Sequence, residues 1–277
     1  MSATNAGTAG FDAAAAARAW RPPPLIESPL LRYAVYLGAL LYVVLGVVTV
    51  EVNWTRAAEG MGRAAGFLSG FFPPDFVSKG DDIFEGLMES LTMTVVSTAL
   101  GIALSIPVAL GASRNLAPLP IYLFCRAIIA VSRTFQEIII AIVFVAMVGF
   151  GPLAGMLTLT FATVGFMAKL LAEDIEDIEA AQAEAVRATG AGWFSWIAWS
   201  VLPQVKPRLI GLSAYRLDIN FRESAVLGLV GAGGIGDTLN TAFDRYEFDT
   251  AAAVLLIIIA IVLVCEYTSG WIRRKVQ

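Results

Sequence analysis

The stretch SLTMTVVSTALGIALSIPVALGAS, residues 90–113, contains no charged side chain and lies between Glu89 and Arg114. A helix that crosses the hydrocarbon core of a bilayer needs about 20 mostly apolar residues, and residues 91–110 supply them. The whole chain has the same character, because 57% of its 277 residues are hydrophobic, 15% are charged and the mean hydropathy is +0.73. Soluble domains carry about 25% charged residues. The sequence therefore predicts an all-α integral membrane protein.

Further apolar segments on both sides of this one predict about six transmembrane helices in total. The other five are residues 30–50, 128–148, 153–171, 209–230 and 251–267. The apolar pattern of residues 121–150 is too long for one upright helix and too short for two. We assign it one span, preceded by an interfacial portion. Two spans are the alternative, and they would move the polar stretch 173–206 to the other side of the membrane.

Charge distribution orients these spans. Arg273, Arg274 and Lys275 follow the last span directly, so the positive-inside rule places that end in the cytoplasm. With six spans the N-terminal arm, residues 1–29, and the stretch 173–206 lie on the same side. Residues 51–89 are poor in basic residues, which suits an external loop. Residues 90–277 then form the core of the protein.

Composition excludes several function classes. The chain has no histidine, which removes His-based triads and His-ligated metal centres. A net charge of -4 and no long basic run argue against a nucleic-acid partner. The phosphate-binding sequence GxxxxGK[ST] does not occur, so ATP chemistry would belong to a separate protein. We therefore predict a chain that is not an enzyme and holds no cofactor or metal.

The stretch 173–206 predicts two short helices below the membrane. Residues 175–188 have high helix propensity, and Gly190 can adopt the left-handed conformation that ends a helix. Residues 193–201 are rich in aromatic side chains, and we expect this second helix to stop at Pro203. On physical grounds alone, an amphipathic linker at the membrane interface is the competing interpretation.

The spacing within this stretch resembles the EAA loop of ABC importer permeases. That pattern is Glu-Ala-Ala, three residues, Gly, nine residues, Ile, any residue, Leu and Pro. The matching positions here are Glu184, Ala185, Gly190, Leu202 and Pro203, whereas Val186 and Ser200 depart from the pattern. The resemblance implies that the matching residues couple the chain to a cytoplasmic ATPase through a coupling helix.

A second motif is the run GAGGIG, residues 231–236, which satisfies the dinucleotide-binding pattern GxGxxG. That chemistry requires a soluble βαβ unit, and this run follows a long apolar helix with no strand pattern after it. We expect a tight bend with exposed backbone at the mouth of a transport path, which includes Gly231, Gly233 and Gly234. A similar run occurs in phosphonate and methionine importer permeases, which this segment resembles.

Charged and polar side chains within the predicted spans form the third feature. The fifth span contains Arg216, Asp218, Asn220, Arg222 and Glu223, and the third contains Arg133 and Glu137. Charges at membrane depth are unfavourable unless they face protein or water. Two interpretations follow: ion pairs four residues apart, as in Asp218 with Arg222 and Arg133 with Glu137, or residues that line a transport path. If such a path exists, we expect Arg222, in preference to Arg216, to contribute positive charge to it.

Residues 133–137, the EAA-like loop and residues 215–236 together resemble the phosphonate-type permeases of ABC importers. The resemblance implies a type I importer fold, a second permease copy as a homodimer, and two ATPase subunits that bind ATP and Mg. It also implies an external binding protein that delivers a phosphonate, phosphite or phosphate-like oxyanion. The location would be the bacterial cytoplasmic (inner) membrane, in contact with lipid. The alternatives are a permease for another small solute such as methionine, or a secondary transporter, for which we find no inverted repeat.

Overall fold

The computed structural model describes residues 26, 28–49 and 54–276, and the regular elements in these ranges are helices. The chain divides into two compact units, Met1–Ala65 and Gly66–Gln277. The first contains α1 (Pro29–Thr49) and most of α2 (Trp54–Ser69). The arm predicted for residues 1–29 lies almost entirely outside the described residues.

The second unit contains the remaining helices. They are α3 (Gly80–Gly111), α4 (Leu119–Thr134), α5 (Glu137–Val148), α6 (Pro152–Glu176), α7 (Ala180–Ala188), α8 (Trp193–Trp196), α9 (Leu202–Leu227), α10 (Ile235–Asp244) and α11 (Phe248–Val276). A π-helical turn, Ile197–Val201, precedes α9, and a 3-10 turn, Gly228–Val230, follows it.

Four described helices are long and apolar enough to cross a membrane: α1, α3, α6 and α11. The pair α4 and α5 would add a fifth span, with a bend of 96° between its halves. The predicted fifth span corresponds to α9, which is 26 residues long but carries too many charges to qualify by apolarity alone. It lies against α3, α6 and α11, so much of its polar surface faces protein.

The one span predicted for residues 128–148 is not a continuous helix but is divided between α4 and α5. Phe135 and Gln136 are extended and separate α4 from α5; we call this the α4–α5 break. Neither residue is proline or glycine. Near the end of α4, the Ser132 hydroxyl donates to the Phe161 carbonyl of α6 at 2.9 Å. A Cβ on Gly165 would lie 2.2 Å from that hydroxyl, so this approach depends on glycine.

The predicted external loop, residues 51–89, contains α2 and the first turns of α3. Between these helices, Asp75 accepts hydrogen bonds from the N–H groups of Val77 and Ser78, at 2.8 and 3.0 Å. A hydrogen bond from the Ser78 hydroxyl, together with these two backbone bonds, holds the pKa of Asp75 below its ordinary value. Here Phe71 packs on Phe67 and Phe248, which ties this connection to the start of α11.

Buried apolar clusters lie at both ends of the bundle. At one end, Ala109, Ile129 and Leu171 pack with Ala183 and Trp196 of the α7–α8 region. At the other, Ile83 packs with residues of α10 and α11. Helix α9 runs from one end of the bundle to the other and is about 39 Å long at 1.5 Å per residue. The two clusters are therefore separated by about the thickness of a membrane.

Candidate functional site

The α7–α8 hairpin, residues 180–196, protrudes from one end of the bundle. Helix α7 ends at Ala188, and Gly190 reverses the chain with φ of 79°, as the sequence predicted. The predicted first helix is shorter than expected, because residues 175 and 176 belong to α6. The predicted stop at Pro203 is wrong. Pro203 lies in the first turn of α9, where a missing N–H is tolerated.

Trp196 anchors this hairpin to the bundle. The residue is 4% exposed, and its indole N–H donates to the Ala183 carbonyl of α7 at 2.9 Å. The Arg187 guanidinium lies over the same ring, 4.1 Å from the centroid. The π-helical turn that follows Trp196 runs directly into α9. A displacement of the hairpin therefore reaches α9 without an intervening flexible loop.

The residues of the EAA-like motif lie on two elements. Glu184 and Ala185 are on the exposed face of α7, with Gly190 in the exposed turn, whereas Leu202 and Pro203 are exposed at the start of α9. The Glu184 carboxylate has no hydrogen-bond or ion-pair partner within the described residues. Space around Gly190 is open to 4 Å. These residues form an accessible surface rather than part of the packed core.

A buried polar network joins three helices near the middle of the bundle. The Asn220 amide nitrogen of α9 donates to Thr98 of α3 at 2.8 Å and to Thr163 of α6 at 3.0 Å. Thr163 also accepts a hydrogen bond from Nε of Arg216 at 3.1 Å. Asn220 is fully buried, so these bonds satisfy both N–H groups of its amide. The sequence analysis singled out Asn220 but missed the two threonines, whose signal was a hydroxyl within an apolar span.

Arg216 lies at the centre of a second group, the Phe166 cluster, formed by Arg133, Glu137, Phe166, Arg216 and Glu223. Arg216 is 3% exposed, and its guanidinium nitrogen is 3.1 Å from the Glu223 carboxylate. The Phe166 centroid lies 5.4 Å from Cζ of Arg216 and 5.6 Å from Cζ of Arg133. Glu137 is the first residue of α5, across the break from Arg133. An aromatic residue in an apolar span carries no sequence signal, so Phe166 was not predicted.

A polar cavity of about 310 Å³ opens at the α4–α5 break. Its lining comprises Ser132, Arg133, Thr134, Phe135, Gln136, Glu137 and Ala162. Of the two interpretations of Arg133 and Glu137, the ion pair on one helix is wrong, because the break places them on different helices. Arg133 has no carboxylate partner within the described residues. It contacts the face of Phe166 instead.

Arg222 lies apart from this cavity. Its guanidinium pairs with Asp218 one helical turn earlier, which is the ion-pair interpretation of the sequence. The Arg222 side chain is 48% exposed, whereas that of Asp218 is 6% exposed. Arg216 rather than Arg222 lies in the Phe166 cluster, and the expected order of these two arginines as path residues stays a prediction.

The glycine turn, residues 231–236, lies at the end of the bundle opposite the hairpin. Gly231, Gly233 and Gly234 all have φ between 75° and 80°, which confirms the tight bend. The expectation of exposed backbone is wrong, because residues 232–236 are buried. The Gly234 N–H donates to the Glu89 carboxylate, and the Ile235 N–H to the Ser90 hydroxyl, both at 2.9 Å. The turn therefore joins α10 to α3.

The described residues contain no group of three or more His, Cys, Asp or Glu side chains suited to a metal ion. They also contain no strand, so the GxGxxG run has no βαβ context.

Comparison with known proteins identifies the family to which this chain belongs. The family model of binding-protein-dependent transport system inner membrane components matches residues 83–277. The chain belongs to this family. The permease is therefore a transport subunit and not an enzyme, and the ABC importer resemblance is confirmed.

Two curated relatives and one solved structure illustrate the similarity. The permease is 43% identical over 229 residues to the phosphate-import permease protein PhnE of Mycolicibacterium smegmatis. The aligned region covers 82% of the permease and 43% of that relative. It thus spans less than half the length of PhnE. It is 37% identical over 221 residues to the phosphite transport system permease protein PtxC of Stutzerimonas stutzeri, covering 79% and 80% of the two chains.

The solved structure is an inward-facing conformation of the MetNI methionine ABC transporter. Its TM-score is 0.62 at 26% identity, and the match covers 70% of the permease and 96% of that chain. The permease accordingly has the type I ABC importer fold predicted from the sequence.

Proposed function

We propose that this permease forms the translocation path for a phosphonate or related phosphorus oxyanion in an ATP-driven importer. The observation that carries the proposal is its similarity to relatives named for phosphate and phosphite, at 43% and 37% identity. The methionine transporter is less similar, at 26%. A methionine permease is therefore the second candidate.

The partners proposed are a second copy of the permease, two cytoplasmic ATPase subunits that bind ATP and Mg, and an external binding protein. The family description, with its dependence on a binding protein, supports the last of these. The sequence lacks GxxxxGK[ST], so ATP hydrolysis requires another chain.

The α7–α8 hairpin is the proposed contact with the ATPase, through Glu184, Ala185 and Gly190. Their exposure, the unpartnered Glu184 carboxylate and the open space at Gly190 support this assignment. Leu202 and Pro203 would connect the contact to α9, because they form its first turn. The anchored ring of Trp196 makes the hairpin a rigid lever.

For orientation, we propose that the hairpin and both termini face the cytoplasm, within the bacterial inner membrane. The basic residues that follow the last span support this side. The glycine turn, with Gly231, Gly233 and Gly234, would then lie near the external mouth. The turn packs against α3 and α6, so we expect it to stay in place while the external end of the path opens and closes.

The proposed mechanism is alternating access. Closure of the ATPase pair on ATP moves the hairpins, and the continuous connection into α9 moves the helix that carries Arg216 and Asn220. Those residues and Arg133 and Glu137 at the α4–α5 break would line the path, whereas Arg222 would serve as a structural ion pair. Each ligand shifts the equilibrium only by its different affinity for the two states.

Two measurements test this function. Purification of the tagged permease from its native membrane should recover an ATPase with a GxxxxGK[ST] sequence. ATP hydrolysis by that complex should increase when its binding protein is added with methylphosphonate, phosphite or phosphate. A complex without an ATPase, or one stimulated only by methionine, would contradict the proposal.

A further inference from the structure

We propose that Arg133, at the α4–α5 break, contacts the phosphorus oxyanion directly as it crosses the membrane. This inference rests on the proposed function and adds the residue and the place within the bundle where the anion is held.

The first argument is the absence of a counter-charge at Arg133. The other arginines of α4 and α9 each pair with a carboxylate: Arg126 with Glu176, Arg208 with Asp174, Arg216 with Glu223 and Arg222 with Asp218. Arg133 has no such partner within the described residues. A lone positive charge at membrane depth is unfavourable unless it faces a polar cavity or meets an anion.

The second argument is where Arg133 lies. The Phe166 ring that it contacts is close to the middle of α6, and Arg216, on the same ring, is close to the middle of α9. The polar cavity of about 310 Å³ opens at this depth. It has room for a tetrahedral oxyanion and its water, and a guanidinium can donate two parallel hydrogen bonds to such an anion.

The third argument is the balance of charge in the Phe166 cluster. Arg216 and Glu223 neutralise each other through their hydrogen bond, which leaves Arg133 and Glu137. Glu137 begins α5 on the other side of the break and forms no ion pair with Arg133. Transport requires binding that is strong enough for entry and weak enough for release. Arg133 therefore attracts the anion, and the nearby Glu137 carboxylate limits how long it stays.

The test uses the complete transporter in proteoliposomes, with its ATPase and binding protein, and measures uptake of radiolabelled phosphate and methylphosphonate. We expect Arg133→Gln to lower uptake about tenfold to about a hundredfold, as for loss of a hydrogen bond between charged groups. Arg133→Lys keeps the charge but not the planar fork, and we expect an intermediate rate. Association with the ATPase should be unchanged in both variants.

Lys169→Gln is the matched control. It removes one positive charge from the neighbouring helix α6, where Lys169 forms only a half-exposed pair with Glu173 at 3.9 Å. We expect uptake close to that of the unmodified protein.

Glu137→Gln provides the opposite test. Without the carboxylate, more phosphate should stay bound to the purified transporter after gel filtration, and the maximal uptake rate should fall.

The outcomes separate the two proposals. If the unmodified transporter takes up none of these oxyanions, the proposed function fails, and this inference with it. If it takes them up and Arg133→Gln does so equally well, only this inference is overturned. It is also overturned if Arg133→Gln no longer assembles with its ATPase, because the role of Arg133 is then structural.

Discussion

The indole N–H of Trp196 donates a hydrogen bond to the carbonyl oxygen of Ala183, over 2.9 Å, and so joins the two arms of the α7–α8 hairpin. Both residues belong to the buried cluster at this end of the bundle. The same pair thus fixes the shape of the hairpin and its attachment to the spanning helices.

Trp196→Phe keeps most of the buried ring but removes this donor. We expect the protein to lose about 1 kcal/mol of stability, since the Ala183 carbonyl loses its partner. The measurement is the midpoint of thermal unfolding in detergent, together with the amount of ATPase that copurifies. Trp199→Phe is the control, because Trp199 is 77% exposed, and it should behave as the unmodified protein. Equal midpoints for the two variants would contradict the anchoring role.

The turn at Gly190 allows a test that adds little bulk. Gly190→Ala places a Cβ in the left-handed region, at an expected cost of about 1 kcal/mol, although no atom obstructs it. We expect weaker ATPase binding and lower uptake. Gly192→Ala is the matched control, since Gly192 also has open space but a φ of -67°. If both variants retain full coupling, the turn does not shape the docking surface.

Much of the fold could be predicted from apolar segment length, because α1, α3, α6 and α11 are long and uninterrupted. The α4–α5 break could not, because neither Phe135 nor Gln136 is a helix breaker, and the contact beside it joins Ser132 to Phe161 of another helix. Similarly, the pairing of Asp218 with Arg222 follows from their spacing on one helix. The joint contact of Arg133 and Arg216 with Phe166 depends on three helices, and no local pattern encodes it.

The glycine turn should be intolerant of side chains for reasons of packing. A Cβ on Gly234 would lie 2.5 Å from the Ser90 hydroxyl and 2.7 Å from the end of Met93. We expect Gly234→Ala to lower the unfolding midpoint more than Gly149→Ala does. Gly149 also has a positive φ, 92°, but nothing lies within 4 Å of its added Cβ. Because both glycines have a positive φ, the comparison separates the effect of packing from that of backbone strain. If the unfolding midpoint falls equally in both variants, the close contact with Ser90 contributes nothing.

The ion pair of Arg222 and Asp218 can be separated from transport by a double substitution. Arg222→Gln alone leaves the buried Asp218 carboxylate without its partner, so we expect less assembled protein and lower uptake. The double variant Asp218→Asn with Arg222→Gln should largely restore uptake at equal membrane expression. A double variant as impaired as Arg222→Gln would instead assign Arg222 a direct role in the path.

Membrane topology can be checked with single cysteines at positions 81 and 179, in a background without Cys125 and Cys265. Asp81 is exposed in the first turn of α3, and Glu179 is exposed before α7, so both positions are accessible to a reagent. We expect a thiol reagent that does not cross membranes to label them from opposite sides. Labelling from the same side would contradict the proposed orientation.

The central claim is ATP-driven import of a phosphorus oxyanion, and uptake into proteoliposomes tests it most directly. The vesicles contain the permease with its ATPase and enclose ATP, and the binding protein is added outside with radiolabelled methylphosphonate, phosphite, phosphate or methionine. We predict accumulation of at least one of the three oxyanions that requires both ATP and the binding protein, and none of methionine. Accumulation of methionine without any of the oxyanions would contradict the account.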